Sequence, residues 1–328
     1  MTAASGGAPG ASGGAALGPG REFDAIRRML ALWGPAASDV GDDAAVLTLP
    51  AGEQLCVSTD ASVENVHFRR EWLTATEIGY RATVAALSDL AAMAARPVGV
   101  LVALTLPGRW RAEMETIAAG VGEAARLHGA PIVGGDTCAG GELSLAVTVL
   151  GAARAPLRRA AARPGDLVYV TGTLGGPLAA LVAFQSGRAP AAADRARFAR
   201  PLARLAEARW LAEHGVRAAV DVSDGLAADL AHVAAASGVR ILLDLERVPR
   251  MAGVTPAEAA RSGEEYELAV TAPAELDVRA FGDAFGVALT LVGRVEGVGV
   301  GAGEAPELVS RLAGQRVDLP AGHDHLSS

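Results

Sequence analysis

The sequence predicts a two-domain protein of the α/β or α+β class. Apolar, strand-like runs alternate with segments of helical spacing along most of the chain, a pattern typical of mixed helix and sheet domains. The chain has 328 residues, which is enough for two substantial hydrophobic cores. An arginine-rich stretch at residues 152–164 interrupts the alternation. We therefore expect one domain at residues 21–153 and a second at residues 154–328.

Composition indicates the cellular compartment and the class of partner. Residues 1–20 are almost entirely Ala, Gly, Ser and Pro, so we expect a disordered leader without the apolar stretch of a secretory signal. Cys56 and Cys138 supply neither a disulfide framework nor a zinc site, which favours reduced thiols and a cytoplasmic protein. No uninterrupted apolar run is long enough to span a membrane. The net charge of −8 disfavours nucleic acid as a partner.

The elements of the first predicted domain follow from periodicity. Apolar residues recur at helical spacing in three segments, at 22–33, 74–95 and 111–128. The segment at 74–95 is predicted to be a long amphipathic helix, and Gly129 is placed to cap the segment at 111–128. Runs rich in leucine and β-branched residues predict strands at 55–60, 99–107, 130–137 and 143–151.

The second predicted domain shows the same alternation. Strand-like runs lie at 166–172, 217–221, 240–245, 262–273 and 287–295. Helices are expected at 178–186, 201–214 and from the glycine of VDVSDGL to residue 237. The segment 297–303 is glycine-rich and is predicted to be a flexible loop.

Seven aspartates in short acidic motifs are the most informative feature of the sequence. The motifs GDDAAVL, STDASVENVHF, ALSDLAAM, VGGDT and VDVSDGL carry Asp42, Asp43, Asp60, Asp89, Asp136, Asp221 and Asp224. Carboxylates that converge raise one another's pKa steeply unless cations neutralise them. Oxygen ligands of this kind suit Mg²⁺, which usually bridges protein carboxylates and substrate phosphates. The pattern therefore predicts phosphoryl transfer from a nucleotide through metal ions.

Two motifs carry most of this interpretation. In VDVSDGL, a helix N-cap would account for one of Asp221, Ser223 and Asp224 but not for all three, which favours a metal or nucleotide role. Asp89 lies within an otherwise apolar helical face, where an unpaired carboxylate is costly. A helix break is the structural alternative for Asp89, and a metal partner explains its position better.

The remaining motifs are less specific. Ser58, Thr59 and Asp60 are adjacent oxygen donors, and His67 follows them, although a surface or core role for His67 is equally compatible with the pattern. VGGDT could be a simple turn, but its glycines can present N–H groups to an anion. The chain contains no lysine and no GxxxxGK[ST] motif, which excludes a Walker-type site and disfavours a protein-kinase fold.

Taken in order, the motifs resemble those of the thiamine-monophosphate kinase family. GDDAAVL, STDASVENVHF, LSDLAAMAARPVG, VGGDT, RPGDLVYVTGTLG, VDVSDGLAADL and SGEEYEL follow in the family's order over about residues 21–326. The family is similar in fold to the aminoimidazole ribonucleotide synthetase superfamily. This resemblance implies an N-terminal domain that contributes strands to a β-barrel in a homodimer, a C-terminal α/β domain, and an active site in the cleft between them.

The resemblance also implies an activity and a set of site residues. The expected reaction transfers the γ-phosphate of ATP to thiamine monophosphate with the help of several Mg²⁺ ions. Matching positions imply Mg²⁺ ligands at Asp42, Ser58, Thr59, Asp60, Asp89, Asp136, Asp221 and Asp224. They imply ATP contacts at Gly135, Asp136, Arg159 and Ser223. They imply substrate contacts at His67 and Glu264, with His323 in the place of the family's stacking aromatic residue. No catalytic base or nucleophile is expected, because the acceptor is already a phosphate anion.

Two alternatives remain open on the sequence. One is an ATP-dependent enzyme like aminoimidazole ribonucleotide synthetase, which shares the superfamily. The other is a nucleotide-binding regulator without turnover, which the altered C-terminal pattern around His323 favours.

Overall fold

The computed structural model describes residues 21–37, 47–298 and 305–319, and its strands form two separate sheets. The elements of the first half are α1 Arg21–Trp33, β1 Gln54–Val63, α2 Ala75–Ala92, β2 Arg96–Leu106, α3 Met114–Leu127, β3 Ile132–Ala139 and β4 Ser144–Ala153, with 3₁₀ turns at Gly34–Ala36 and Gly108–Glu113. The predicted leader at 1–20 lies outside the described residues. Cys56 and Cys138 are both free thiols, as expected.

The first sheet has the strand order β1-β4-β2-β3 and one covered face. Only β2 and β3 are parallel; the other pairs are antiparallel. Along β1 the side chains alternate, so that Cys56, Ser58 and Asp60 face the inner side, where α2 contacts β1 and β4. The opposite, outer face of the same sheet carries Leu55 and Val57, which are 49% and 57% exposed. This outer face has no helix over it within the described residues.

Helix α2 is the element that joins the two halves. Thr74 caps its N-terminus in a capping box with Glu77, in which the Thr74 hydroxyl accepts the Glu77 N–H and the Glu77 carboxylate accepts the Thr74 N–H. The prediction that this helix is amphipathic was wrong, because almost all of its residues are buried. The reason is its position: it contacts α3 and the first sheet on one side, and β6 (Ala218–Asp221) and α6 (Leu205–Glu213) of the second half on the other.

The second half contains a seven-stranded sheet with helices between its strands. The elements of this half are β5 Leu167–Thr171, α4 Gly176–Gln185, α5 Ala192–Ala199, α6 Leu205–Glu213, β6 Ala218–Asp221, α7 Leu226–Ser237, β7 Arg240–Asp244, α8 Pro256–Arg261, β8 Leu268–Ala272, α9 Val278–Phe285, β9 Leu289–Glu296, β10 Glu307–Leu312 and β11 Gln315–Arg316. The strand order in the sheet is β11-β10-β7-β9-β5-β8-β6. The strands alternate with helices, so the mixed fold class is confirmed. No helix in the described part of the chain is long and apolar enough to cross a membrane.

Several predicted boundaries were wrong for identifiable reasons. The strand expected over 262–273 begins only at Leu268, because Glu264 and Tyr266 have φ angles of +57° and +54°, which extended strands do not contain. The helix expected from residue 201 begins at Leu205. Helices α5, α8 and α9 and strands β10 and β11 were not predicted. The predicted loop at 297–303 lies mostly outside the described residues.

Candidate active site

The candidate site lies where the C-terminal half of α2 meets the inner face of β1 and the end of β6. The Ser58 hydroxyl on β1 donates to the Asp89 carboxylate on α2, with 2.5 Å between Oγ and Oδ2. The neighbouring Ser88 hydroxyl donates to Asp221 Oδ2 at the end of β6, at 2.8 Å. Adjacent residues of one helix therefore connect to carboxylate and hydroxyl groups from both halves of the chain.

Burial raises the pKa of three carboxylates in this region, and the Asp89 charge adds to the rise at the other two. Burial and the nearby Asp89 charge raise the pKa of Asp60 to about 6. Burial, with the Asp89 and Asp60 charges, raises the pKa of Asp221 to about 7 against the lowering effects of Ser88 and Arg159. Burial likewise raises the pKa of Asp89, while the Ser58 hydrogen bond and the Arg159 charge oppose this. The structure thus brings Asp60, Asp89 and Asp221 close together in a buried region where their negative charges are unfavourable. A bound cation would stabilise the ionised carboxylates.

The loop after β6 is fixed by a carboxylate that sequence reasoning missed. Asp229 on α7 is 2% exposed and accepts the backbone N–H groups of Ser223 and Asp224, at 3.0 and 3.2 Å. Burial and the charges of Asp221 and Asp224 raise its pKa to about 8. Gly225 precedes α7 with φ +112°, and a Cβ there would lie 2.9 Å from the Arg261 carbonyl carbon. The signal in the sequence was an aspartate among the apolar residues of a helix, the same signal that singled out Asp89.

Of the two predicted substrate contacts within the described residues, Glu264 lies beside this loop and His67 lies in the segment after β1. His67 Nδ1 accepts the backbone N–H of Val63 at 3.1 Å, so a neutral His67 ring carries its proton on Nε2. Glu264 donates its backbone N–H to the Ser223 carbonyl oxygen at 2.7 Å, and its side chain forms an ion pair with Arg81. The left-handed φ of Glu264 marks a strained position that the surrounding structure holds in place.

Three other predicted site residues lie elsewhere on the first sheet, namely Thr59, Gly135 and Asp136. Asp136 is exposed on β3 and pairs in register with Ala103, which places its side chain on the outer face. Thr59 also lies on the outer face and shares a 2.8 Å hydroxyl contact with Thr148. A Cβ on Gly135 would lie 2.1 Å from the Val102 carbonyl oxygen, so close strand pairing requires glycine here. Within a single chain, the side chains of Asp136 and Thr59 therefore lie on the opposite face of the sheet from the Asp60 side chain.

Arg159 lies in the 3₁₀ turn Arg159–Ala161, close enough to lower the pKa of both Asp89 and Asp221. Its turn is held by Ser237, whose hydroxyl donates to the Arg159 carbonyl oxygen at 2.7 Å and accepts the Ala162 N–H at 3.1 Å. Ser237 was not predicted as a supporting residue. The predicted metal ligand Asp42 and the predicted substrate contact His323 lie outside the described residues.

The donor set fits Mg²⁺ shared with substrate phosphates. Within residues 21–37, 47–298 and 305–319, no three His, Cys, Asp or Glu side chains form a ready-made cage around one point. Mg²⁺ does not require such a cage, because it is usually held by one or two carboxylates together with waters and phosphate oxygens. The ligands available at Ser58, Asp60, Asp89 and Asp221 are oxygen atoms only, and burial raises the pKa of the three carboxylates, so a nearby cation would favour their ionised forms.

Comparison with known proteins identifies the family of the chain. Two family models match the chain: the AIR synthase related protein N-terminal domain matches residues 41–153, and the corresponding C-terminal domain matches residues 163–304. The thiamine-monophosphate kinase of Caulobacter vibrioides is 38% identical over 312 residues, which cover 88% of this chain and 88% of the relative.

Solved structures are similar over nearly the whole chain. The crystal structure of thiamine-monophosphate kinase from Stenotrophomonas maltophilia has a TM-score of 0.78 and 34% identity, and the match covers 90% of this chain and 98% of that one. The structure of AaThiL complexed with AMPPCP and TMP has a TM-score of 0.73 and 28% identity, and the match covers 93% of this chain and 96% of that one.

Proposed function

This chain belongs to the thiamine-monophosphate kinase family, and we propose that its ATP-dependent phosphorylation of thiamine monophosphate proceeds by direct in-line transfer assisted by Mg²⁺. The products are thiamine diphosphate and ADP. The observation that carries the metal-assisted route is the gathering of three buried carboxylates with raised pKa, Asp60, Asp89 and Asp221, at the junction of the two halves. Such a cluster of anions is unsuited to binding phosphates by itself and well suited to binding them through a divalent cation.

The chemistry explains why no base or nucleophile is needed. The acceptor phosphate is already an anion near neutral pH, so the main barrier is to bring two polyanions together in the correct alignment. Mg²⁺ held by Ser58, Asp60, Asp89 and Asp221 would supply charge neutralisation between the two phosphate groups. Arg159 adds a positive charge near Asp89 and Asp221 and keeps its proposed role of neutralising the triphosphate.

We assign the remaining residues the roles that the family resemblance implies. His67 can donate from Nε2 to the acceptor phosphate, since its Nδ1 is already an acceptor. Glu264 is assigned to the thiamine moiety, and Ser223 and Gly135 to ATP. Asp42, Asp224 and His323 keep their proposed roles as two metal ligands and a stacking residue. Thr59 and Asp136 lie on the outer face of the first sheet, so their proposed contacts to metal and ATP require more than one chain.

A homodimer would provide the second chain that these contacts require. We place the dimer contact on the outer face of the first sheet, where Leu55 and Val57 are exposed side by side with Thr59. Apolar side chains on an uncovered sheet face are stabilised by burial against a second copy. The division between the domains is placed near residue 153, between the two sheets, and a cytoplasmic location is proposed from the reduced thiols.

The test of this function is ADP release measured with a panel of acceptors. With Mg²⁺ and ATP, we expect ADP release to depend on thiamine monophosphate, and not to occur with thiamine or with formylglycinamidine ribonucleotide. Chelation of Mg²⁺ should abolish the rate. Activity with formylglycinamidine ribonucleotide alone would instead support an aminoimidazole ribonucleotide synthetase.

The direct route has its own test. The protein is incubated with ATP labelled in the γ-phosphate, in the absence of thiamine monophosphate, and the protein fraction is examined for label. We expect none. Labelled protein that passes its phosphate on to added thiamine monophosphate would contradict direct transfer.

A further inference from the structure

Arg81 is a buried cation whose polar atoms are incompletely satisfied. It lies in the middle of α2, and its side chain is 4% exposed. Its guanidinium stacks over the Phe198 ring of α5, with 4.5 Å from Cζ to the ring centroid. Within the described residues, Nε and Nη2 have no acceptor in hydrogen-bond geometry. Because a buried guanidinium is costly unless it is well paired, this position needs an explanation beyond packing.

The two ends of the guanidinium reach both predicted substrate contacts. Nη1 donates to the backbone carbonyl oxygen of His67 at 3.1 Å. Nη2 forms an ion pair with the Glu264 carboxylate, a close contact that lacks hydrogen-bond alignment. One rigid fork therefore joins a loop of the first half to the SGEEYEL segment of the second half.

The contact with Arg81 orients the Glu264 side chain. Its backbone has φ +57°, and its N–H is bonded to Ser223, so the start of the side chain is fixed. Its side chain is 31% exposed, and Arg81 is the cation with which its carboxylate pairs. The planar guanidinium presents its donors in a fixed geometry, whereas a lysine ammonium at the same position could serve only one of the two partners well.

We propose that Arg81 is a positioning residue for the acceptor substrate, which holds the Glu264 carboxylate and the His67 loop at the mutual distance that the acceptor requires. This inference rests on the proposed function of the site. It assigns Arg81 to recognition of thiamine monophosphate and not to recognition of ATP, because neither of its partners is a proposed ATP contact.

The experiment compares Arg81→Met and Arg81→Lys with the wild type. Methionine keeps the apolar stem against Phe198 but removes both donors. We expect the KM for thiamine monophosphate to rise about tenfold or more in Arg81→Met, while the KM for ATP stays within about twofold. Arg81→Lys should show a smaller rise of the same KM, since it keeps the charge and one contact. Equal rises in both KM values, or no rise in either, would overturn the proposal.

Arg195 offers a matched control, because it lies at the same contact between α2 and α5. Arg195 of α5 forms a two-point ion pair with Glu77 of α2, at 2.7 and 2.9 Å, and touches no proposed substrate contact. Arg195→Met should loosen the same junction yet leave the KM for thiamine monophosphate within about twofold. A rise as large as that of Arg81→Met would show that Arg81 acts only through general packing. If Arg81→Met does not fold, the KM split in Arg81→Lys decides alone.

A double-mutant cycle links Arg81 to Glu264. If Arg81 acts by orienting Glu264, the KM for thiamine monophosphate of Arg81→Met/Glu264→Gln should be close to that of the worse single variant. Multiplicative effects of the two changes would overturn this link. The wild-type rate with thiamine monophosphate separates the two claims: an inactive wild type overturns the proposed function and this inference together, whereas an active wild type with an unshifted Arg81→Met overturns only the inference.

Discussion

The Ser88 hydroxyl donates a 2.8 Å hydrogen bond to Asp221 Oδ2, and this bond joins α2 of the first half to the end of β6 in the second. Both side chains are buried, at 0% and 3% exposure, so water cannot replace the bond easily. Ser88 stabilises the ionised form of Asp221 and opposes the burial and the Asp89 charge that raise its pKa. The serine before Asp89 therefore helps to keep a predicted metal ligand ionised.

Replacing Ser88 by alanine should shift the pH dependence of the reaction. Without the hydroxyl the pKa of Asp221 rises further, so the ligand is protonated at a higher pH and Mg²⁺ binds less tightly near neutrality. We expect the Mg²⁺ concentration for half-maximal activity to rise by about tenfold near pH 7, which corresponds to the roughly 1–3 kcal/mol of a buried unsatisfied acceptor. The deficit should shrink near pH 9.

The control for this variant is Thr83→Val, which removes another buried hydroxyl of α2. The Thr83 hydroxyl donates to the Gly79 carbonyl oxygen within the helix at 2.9 Å and touches no carboxylate. It should leave the Mg²⁺ requirement unchanged. A pH-independent deficit in Ser88→Ala would show that its effect is on packing and not on Asp221.

Neutralising a proposed metal ligand should lower activity without lowering stability. Asp60→Asn and Asp224→Asn are expected to lower kcat by about two orders of magnitude or more, because charge neutralisation of the phosphates is lost. The metal-free melting temperature of Asp60→Asn should be no lower than that of the wild type, since burial and Asp89 already disfavour its charge. Asp244→Asn removes a surface carboxylate paired with Arg247 and serves as the control. Near-normal kcat at saturating Mg²⁺ would remove the varied residue from the metal shell.

The outer face of the first sheet predicts the oligomeric state. Val57 is 57% exposed and lies between Leu55 and Thr59 on the same side of β1. Val57→Asp would place a charge in the proposed dimer contact and should convert the protein to monomers, as measured by sedimentation velocity. Val182, which is 47% exposed on α4, offers a control surface, and Val182→Asp should leave the dimer intact. Sedimentation of the wild type as a monomer would contradict the proposed contact.

The sequence was sufficient for the features that depend on local pattern. Strand β1 and helix α2 follow from periodicity, and Asp89 was identified because a carboxylate is unexpected in an apolar helix. Asp229 carried the same signal as Asp89 but was not singled out, and its partners are the nearby Ser223 and Asp224. The role of Arg81 could not be predicted in this way, because it depends on partners that only the tertiary fold brings near. Arg81 is an ordinary residue in a helical segment until His67 and Glu264 are placed beside it.

The errors in the predicted elements have the same origin. SGEEYEL has the composition of a strand start, yet contacts with the loop after β6 impose left-handed φ angles at Glu264 and Tyr266. The spacing in α2 predicted one exposed face, but the second half of the chain covers it. The faces of β1 and β3 separate Thr59 and Asp136 from Asp60, which motif order alone does not reveal.

The carboxylates of the site also predict how stability depends on pH. In the unfolded chain Asp60 and Asp221 titrate near pH ~4, whereas in the metal-free folded protein their pKa values are about 6 and about 7. Between these limits the folded protein binds more protons than the unfolded one, so the free energy of unfolding decreases as pH rises from about 4 to about 7. Burial lowers the pKa of His128, which acts in the opposite direction, so the contribution of Asp221 is isolated by comparing the wild type with Asp221→Asn.

Magnesium should reverse this loss, because it binds the ionised carboxylates and only the folded state assembles them. The measurement is the melting temperature at about pH 5 and about pH 8, with and without saturating Mg²⁺. We expect the gain from Mg²⁺ to be larger at pH 8 in the wild type, and to be reduced at pH 8 in Asp221→Asn. The metal-free Asp221→Asn protein should lose less stability than the wild type between the two pH values. An equal Mg²⁺ gain at both pH values, or a full wild-type gain in Asp221→Asn, would mean that Asp221 does not bind the metal.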